Sequence, residues 1–142
     1  MYKKILIALD NSPADAAMLA HVAELASHFG SQLLLLHVAD GFAARAFDQL
    51  KLAESEEMKA DQDYLEKVAE DFRAKKMSVE ARLALGNPPT EIVKLAEAEN
   101  CDLIAMAGHG HKLLGDLLHG STITEVRHST AIPLLVLRAK KK

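Results

Sequence analysis

Apolar positions recur along this chain in two different periods, and their alternation predicts its elements. "YKKILIAL" contains Ile5-Leu6-Ile7-Ala8-Leu9, a continuous apolar run that suits a strand covered on both faces. In "DNSPADAAMLAHVAELASHFG" the period changes, and Leu19, Val22, Ala23 and Ala26 return at helical spacing. Ser12 is placed to cap that helix, Pro13 to take its first position, Asp15 to sit in its first turn and Gly30 to end it. "SQLLLLHVAD" predicts a second buried strand over 32–38. Residues 41–53 carry no clear period and are read as partly loop. Beyond them Met58, Leu65, Val68, Ala69 and Phe72 fall on one helical face, with Lys and Glu opposite.

In "MSVEARLALG" the period is two: Val79, Ala81, Leu83 and Leu85 alternate with polar positions such as Glu80 and Arg82, so an edge strand with one wet face is expected. Asn87 can cap the next helix and Pro88-Pro89 can open it. "CDLIAMA" reads as a fourth strand, "STITEVRHST" as a short last helix, and "AIPLLVLR" as a fifth strand with Pro133 at its start. Strand and helix alternate from end to end with no internal linker or repeat. The expectation is one α/β domain over residues 1–142 around a mostly parallel sheet, with helices on both faces.

Composition narrows the function classes. The 142 residues are 49% hydrophobic and 26% charged, the balance of an ordinary globular domain. Aromatic residues make up only 4% and Trp is absent, which leaves no stacking platform for single-stranded nucleic acid. A net charge of −3 argues against binding DNA or an anionic membrane, and the basic tail at 138–142 reads as a solvated terminus. The one cysteine, Cys101, excludes an internal disulfide and a cysteine-cluster zinc site; it reads as a small buried hydrophobe entering the fourth strand. The apolar run near the N-terminus is too short for a signal or membrane segment, so a cytoplasmic protein is expected.

The chemistry concentrates in "AMAGHGHKLLGDLLHGST", which holds four of the seven glycines and three of the seven histidines. A glycine turn between a strand and a helix start presents backbone N–H groups that attract anions, and Gly120-Ser121-Thr122 stands where the last helix is expected to begin. Neither a P-loop nor a G-x-G-x-x-G fingerprint is present, so spacing alone leaves a phosphate cradle and a plain flexible loop both open. A metal site would draw on His109, His111, His119 and His128 with Asp116, but H-E-x-x-H and cysteine partners are missing. Ser121 lacks the nucleophile elbow of a hydrolase. His21, His28, His37 and His128 read as polar surface or loop residues.

Taken in order, "ILIALDNS", "LLLLHV", "GNP", "CDLIAMA" and "HGST…RHSTAIPLLVL" resemble the universal stress protein family, single-domain type, over essentially the whole chain. ATP-binding members carry G-x2-G-x9-G-[ST] after the fourth strand; here Gly110, nine residues and Gly120-Ser121 match its second half, while Ala107 takes the place of the first glycine. The resemblance implies sheet order 3-2-1-4-5 and a ligand crevice where the winding reverses, between strands one and four. It further implies that Asp10 and Val38 contact adenine or ribose, that Ala8 and Leu9 line the entry, and that Met106, Ala107 and Gly108 lie under the sugar. Gly110, Gly120, Ser121 and Thr122 would hold the phosphates.

The ligand implied is ATP, with AMP or ADP as alternatives, and magnesium or manganese carried by the phosphates rather than by a protein cage. The function implied is a stress-response sensor or regulator that hydrolyses ATP slowly at most, since no general base or arginine finger is evident. The alternatives are a nucleotide-free interaction protein of the same fold, in which Ala107 marks a lost site, and a weak ATPase in which a loop histidine orients water. Family members pair their last strand with its copy in a second subunit, and the apolar strand Ile132–Leu137 at a sheet edge predicts the same homodimer.

Family members often have arginine beside the second glycine, where this chain has His109 and His111, with Lys112 the only fixed cation. Histidine is mostly neutral above pH 7, so ATP affinity is expected to rise as pH falls from 8 to 6. Equal dissociation constants at the two pH values, measured by calorimetry, would remove the loop histidines from binding.

Overall fold

Five strands pair in parallel, in the order β3-β2-β1-β4-β5, and four helices cover the sheet in the computed structural model, which describes residues 1–40, 51–108 and 114–138. The strands are β1 (Lys4–Ala8), β2 (Gln32–Asp40), β3 (Val79–Gly86), β4 (Leu103–Gly108) and β5 (Leu134–Arg138). The helices are α1 (Ala14–Phe29), α2 (Lys51–Ala74), α3 (Pro88–Ala98) and α4 (Leu114–Ser129). The expected loop over 41–53 therefore gives way to α2 from Lys51, and its earlier part lies outside the described residues.

The alternation of side chains along each strand separates two cores. Ile5, Ile7, Leu33, Leu35, Leu103 and Ala105 point to one face, where Met18, Val22 and Ala26 of α1 and Leu65, Ala69 and Phe72 of α2 cover them. Leu6, Leu34, Leu36, Ile104 and Met106 point to the other, under Ile92 and Ala96 of α3 and Val126 of α4. Each fully buried aliphatic side chain contributes about 1.5–3 kcal/mol, so double coverage makes β1, β2 and β4 the most strongly held strands.

Caps and turns follow local chemistry. Pro13 takes helical dihedrals, and the Ser12 hydroxyl accepts the Ala14 N–H at 3.3 Å. Gly30 ends α1 at φ 65°, a conformation that costs glycine nothing. The wet edge expected for β3 is present, with alternating burial and Leu85 46% exposed. At the opposite edge β5 starts at Leu134, two residues later than the apolar run; Pro133, which has no N–H, stays outside it and accepts the Ile104 N–H through its carbonyl at 3.0 Å. Val136 on β5 is 40% exposed. Cys101 is buried, and that burial pushes its thiol up to about 11, so it is an uncharged packing group. Among the described residues no helix is long and apolar enough to cross a membrane.

At the amino end of the sheet the Asp102 carboxylate accepts the Lys3 N–H at 2.9 Å and the Lys4 N–H at 3.1 Å, tying the start of β4 to the start of β1. Partial burial opposes its charge, but these N–H groups outweigh it and hold the carboxyl below the ordinary aspartate range. A depressed carboxyl contributes stability above its unfolded pKa and loses it as pH falls through the folded value. Asp102→Ala is therefore expected to cost about 1 kcal/mol at pH 7, discounted for exposure to solvent, with the gap closing at pH 3. Urea unfolding at both pH values measures it.

Candidate functional site

Parallel pairing brings three strand tips side by side at the carboxyl end of the sheet. Ala8 of β1 is in register with Leu36 of β2 on one side and Met106 of β4 on the other. The winding reverses between β1 and β4, with α1 and α4 on opposite faces of the sheet, and this is the switch point at which open α/β sheets bind ligands. A mostly apolar cleft of about 270 Å³ occupies it.

Seven residues expected from the sequence line this cleft: Ala8, Leu9, Asp10, Val38, Met106, Ala107 and Thr122. Five further lining residues were not anticipated. Leu36 and His37 precede Val38 on β2, Ile123 follows Thr122 on α4, and Pro88 and Ile92 come from α3. The α3 pair had no signal near the glycine loop, because its place in the wall depends on how α3 packs. Ala107 lies in β4 and is not among the non-glycine residues with positive φ, which are Tyr2, Asn11, Lys76 and Asn100 among those described. Alanine therefore replaces glycine there without backbone strain. Gly108 ends β4, and a Cβ there would point toward Ile123, Val136 and Arg138 at ordinary contact distances of 3.7–4.0 Å.

The start of the last helix is a correction. α4 begins at Leu114, so Gly120, Ser121 and Thr122 lie in its second and third turns, where their N–H groups serve i→i−4 helix bonds. The physical reason is visible upstream: Leu114, Leu117 and Leu118 repeat at i, i+3, i+4, so the helical pattern extends through Gly120 at a propensity cost of about 1 kcal/mol. Gly110, His109, His111 and Lys112 lie outside the described residues. His128 is exposed in the last turn of α4, and among the described residues no three histidine, cysteine or acidic side chains converge as metal ligands.

The polar rim of the cleft rests on one buried acid. Asp15, 1% exposed, accepts the Asn11 N–H at 2.9 Å, the Asp10 N–H at 3.4 Å and the Tyr64 hydroxyl of α2 at 2.6 Å. These bonds fold the β1–α1 turn, with Asn11 in the left-handed region at φ 58°, which asparagine tolerates. Desolvation raises the Asp15 pKa, opposed by the Tyr64 hydrogen bond, and burial together with Asp15 lifts the Tyr64 phenol well above its ordinary value. His37, read from the sequence as a surface or loop residue, instead lies between strand and helix: Nδ1 meets the Leu9 carbonyl at 2.8 Å and Nε2 meets Asp61 Oδ2 at 3.2 Å.

Comparison with known proteins bears on this geometry. The model of the Universal stress protein family matches residues 1–138. Universal stress protein MJ0577 of Methanocaldococcus jannaschii is 31% identical over 160 residues, which span 99% of this chain and 97% of that protein. Its solved structure superposes with a TM-score of 0.88 at 29% identity, covering 100% of this chain and 99% of the other. Two more distant structures share the fold: an Archaeoglobus fulgidus universal stress protein in complex with dAMP (TM-score 0.67, 21% identity, 95% and 97% covered) and a universal stress protein in complex with cAMP (0.67, 18%, 96% and 97%).

The Tyr64–Asp15 bond gives a measurable consequence. A carboxyl with raised folded pKa makes the native state lose stability as pH rises through its titration, and the Tyr64 hydroxyl limits that loss by favouring the ionised form. Tyr64→Phe is expected to cost about 1–3 kcal/mol at pH 7.5 and less at pH 4, nearer to the raised titration of Asp15. Denaturant melts at the two pH values give the difference; an equal cost at both would mean that the hydroxyl does not act through the carboxylate.

Proposed function

The chain belongs to the universal stress protein family, and we propose that it binds an adenine nucleotide in the cleft between the tips of β1 and β4 and acts as a stress-response sensor or regulator. The observation that carries this reading is the convergence of seven residues named for such a ligand on one cleft at the switch point. Relatives solved with dAMP and with cAMP support the ligand class.

The lining suits the base and sugar half of a nucleotide. Leu36, Val38, Ile92, Met106 and Ile123 offer apolar walls for a planar base, while Asp10 and Thr122 offer oxygen atoms for its edge or for ribose hydroxyls. The phosphate end is built differently. The described lining contains no lysine or arginine, and Gly120 and Ser121 lie inside α4, so their amides do not form a first-turn anion cradle. Phosphates would have to draw on residues of the β4–α4 connection. ATP remains the ligand proposed, with magnesium or manganese riding on its phosphates, since Asp10 is the one carboxylate in the described lining and a single carboxylate makes no cation cage.

A second reading, a nucleotide-free interaction protein of the same fold, draws its support from the same start of α4. We also propose a cytoplasmic homodimer joined through β5, whose outer side has no strand beside it among the described residues and whose Val136 is exposed.

Mass spectrometry of small molecules that co-purify with the protein tests the ligand directly, with an adenine nucleotide as the expected result. Ala8→Phe should fill the cleft from the tip of β1 and weaken ATP binding at least tenfold, about 1.4 kcal/mol, with the melting temperature nearly unchanged. Unaltered affinity in a folded Ala8→Phe protein would place the nucleotide elsewhere.

A further inference from the structure

Among the described residues α2 lines no part of the cleft, yet it reaches the turn that carries Asp10 into the wall. The contact runs through Asp15, a carboxylate only 1% exposed. Its Oδ2 accepts the Asn11 N–H at 2.9 Å and the Tyr64 hydroxyl at 2.6 Å, while Oδ1 accepts the Asp10 N–H at 3.4 Å. One side chain thus clamps two successive backbone N–H groups, and a hydroxyl of α2 completes the clamp.

The three bonds are unequal. That from Tyr64 is the shortest, and that from Asp10 lies near the outer limit of hydrogen bonding. A carboxylate has only a broad preference for rotation about its last bond, so its donors decide where its oxygens face. With the hydroxyl in place, Oδ2 is held between α2 and Asn11, and Oδ1 is left facing Asp10. Without it a buried oxygen loses a donor, and the long bond to Asp10 is the first to yield.

The turn depends on being held. Leu9 still belongs to the sheet, its N–H donating to the Leu36 carbonyl at 2.8 Å, so the clamp takes over at Asp10. Asn11 stands at φ 58°, a sparsely populated conformation that persists where the surroundings fix it. A second hold comes from the same face of α2, where Asp61 accepts Asn11 Nδ2 at 3.2 Å.

We propose that Tyr64 is a positioning residue for the ligand: through Asp15 it fixes the turn that carries Asp10 into the cleft, and so sets nucleoside affinity without lining the cleft itself. This rests on reading the cleft as a nucleoside site, with Asp10 an acceptor for the base edge or the ribose hydroxyls. A ligand that meets a preset wall binds without ordering it. One that meets a loose turn must order that turn on binding and is held more weakly.

Adenosine is the probe of choice, because it carries no phosphate and reports on the base and sugar half alone. Tyr64→Phe is expected to weaken its binding at least ~5-fold at pH 7.5, the effect of roughly one hydrogen bond. Asp15→Asn, with one acceptor oxygen in place of two, is expected to act in the same direction, and serves in its place should Tyr64→Phe not fold. Val68→Ala truncates the core on the same helix; it is expected to lower stability and leave adenosine affinity unchanged, which separates positioning from loss of packing. Amide hydrogen exchange of the ligand-free protein reads the clamp itself. Asp10 and Asn11 should exchange faster in Tyr64→Phe, and Leu9, bonded to Leu36, at its former rate. Unaltered adenosine affinity in the folded variant, or an equal loss in Val68→Ala, overturns the proposal. Should adenosine not bind the unaltered protein, the nucleoside reading of the cleft fails, and exchange decides the clamp alone: unchanged rates at Asp10 and Asn11 overturn it.

Discussion

Parallel pairing of β1 with neighbours on both sides, while both of its faces are sealed by helices, is the constraint from which the remaining geometry follows. Ile5, Leu6 and Ile7 are completely buried, with odd and even positions committed to different cores. A slip of one residue would exchange the two faces and send every side chain to the wrong helix pair, so the register is strongly specified. With the register fixed, Ala8 must stand beside Leu36 and Met106, and the three tips end level with one another. The helices that follow β1 and β4 cover opposite faces. A cleft at that point is therefore a consequence of topology before any particular side chain is considered.

The two sides of the cleft are held by different forces. Ile92, Met106 and Ile123 belong to a packed apolar wall, stabilised by the same burial that holds the sheet. The Leu9–Asp10 side is held by directional bonds around Asp15, Asn11, Asp61 and Tyr64, where two acids of neighbouring elements are satisfied by N–H and O–H donors. An apolar wall responds weakly to pH; a wall hung on Asp15, whose pKa burial raises, does not share that indifference.

Ala107 and Gly120 show how differently two positions of one motif depart from it. At 107 the departure is structurally silent, because β4 carries the residue in ordinary extended backbone. At 120 the residue type is retained but its surroundings change: α4 has already begun, and a glycine amide within a helix has its partner in the preceding turn. Residue identity alone is a poor guide to whether a backbone donor is available.

The sequence by itself determined the alternation of strands and helices, the wet edge at β3, the cap of α1 and the burial of Cys101, since each depends on a local period or on one side chain's chemistry. Resemblance to a family carries its topology with it, and so seven residues named on that ground, Ala8, Leu9, Asp10, Val38, Met106, Ala107 and Thr122, line one cleft. What only the tertiary structure decided was contact between distant segments. Pro88 and Ile92 enter the wall through the packing of α3, and His37 acquires its partner from a helix 24 residues further along, at Asp61. The extension of α4 to Leu114 belongs here too, where a leucine repeat outweighs a glycine. Periodicity reports which face of an element is buried; it carries no information on which other element will cover that face, and both the cleft wall and the His37–Asp61 contact are made of such pairings.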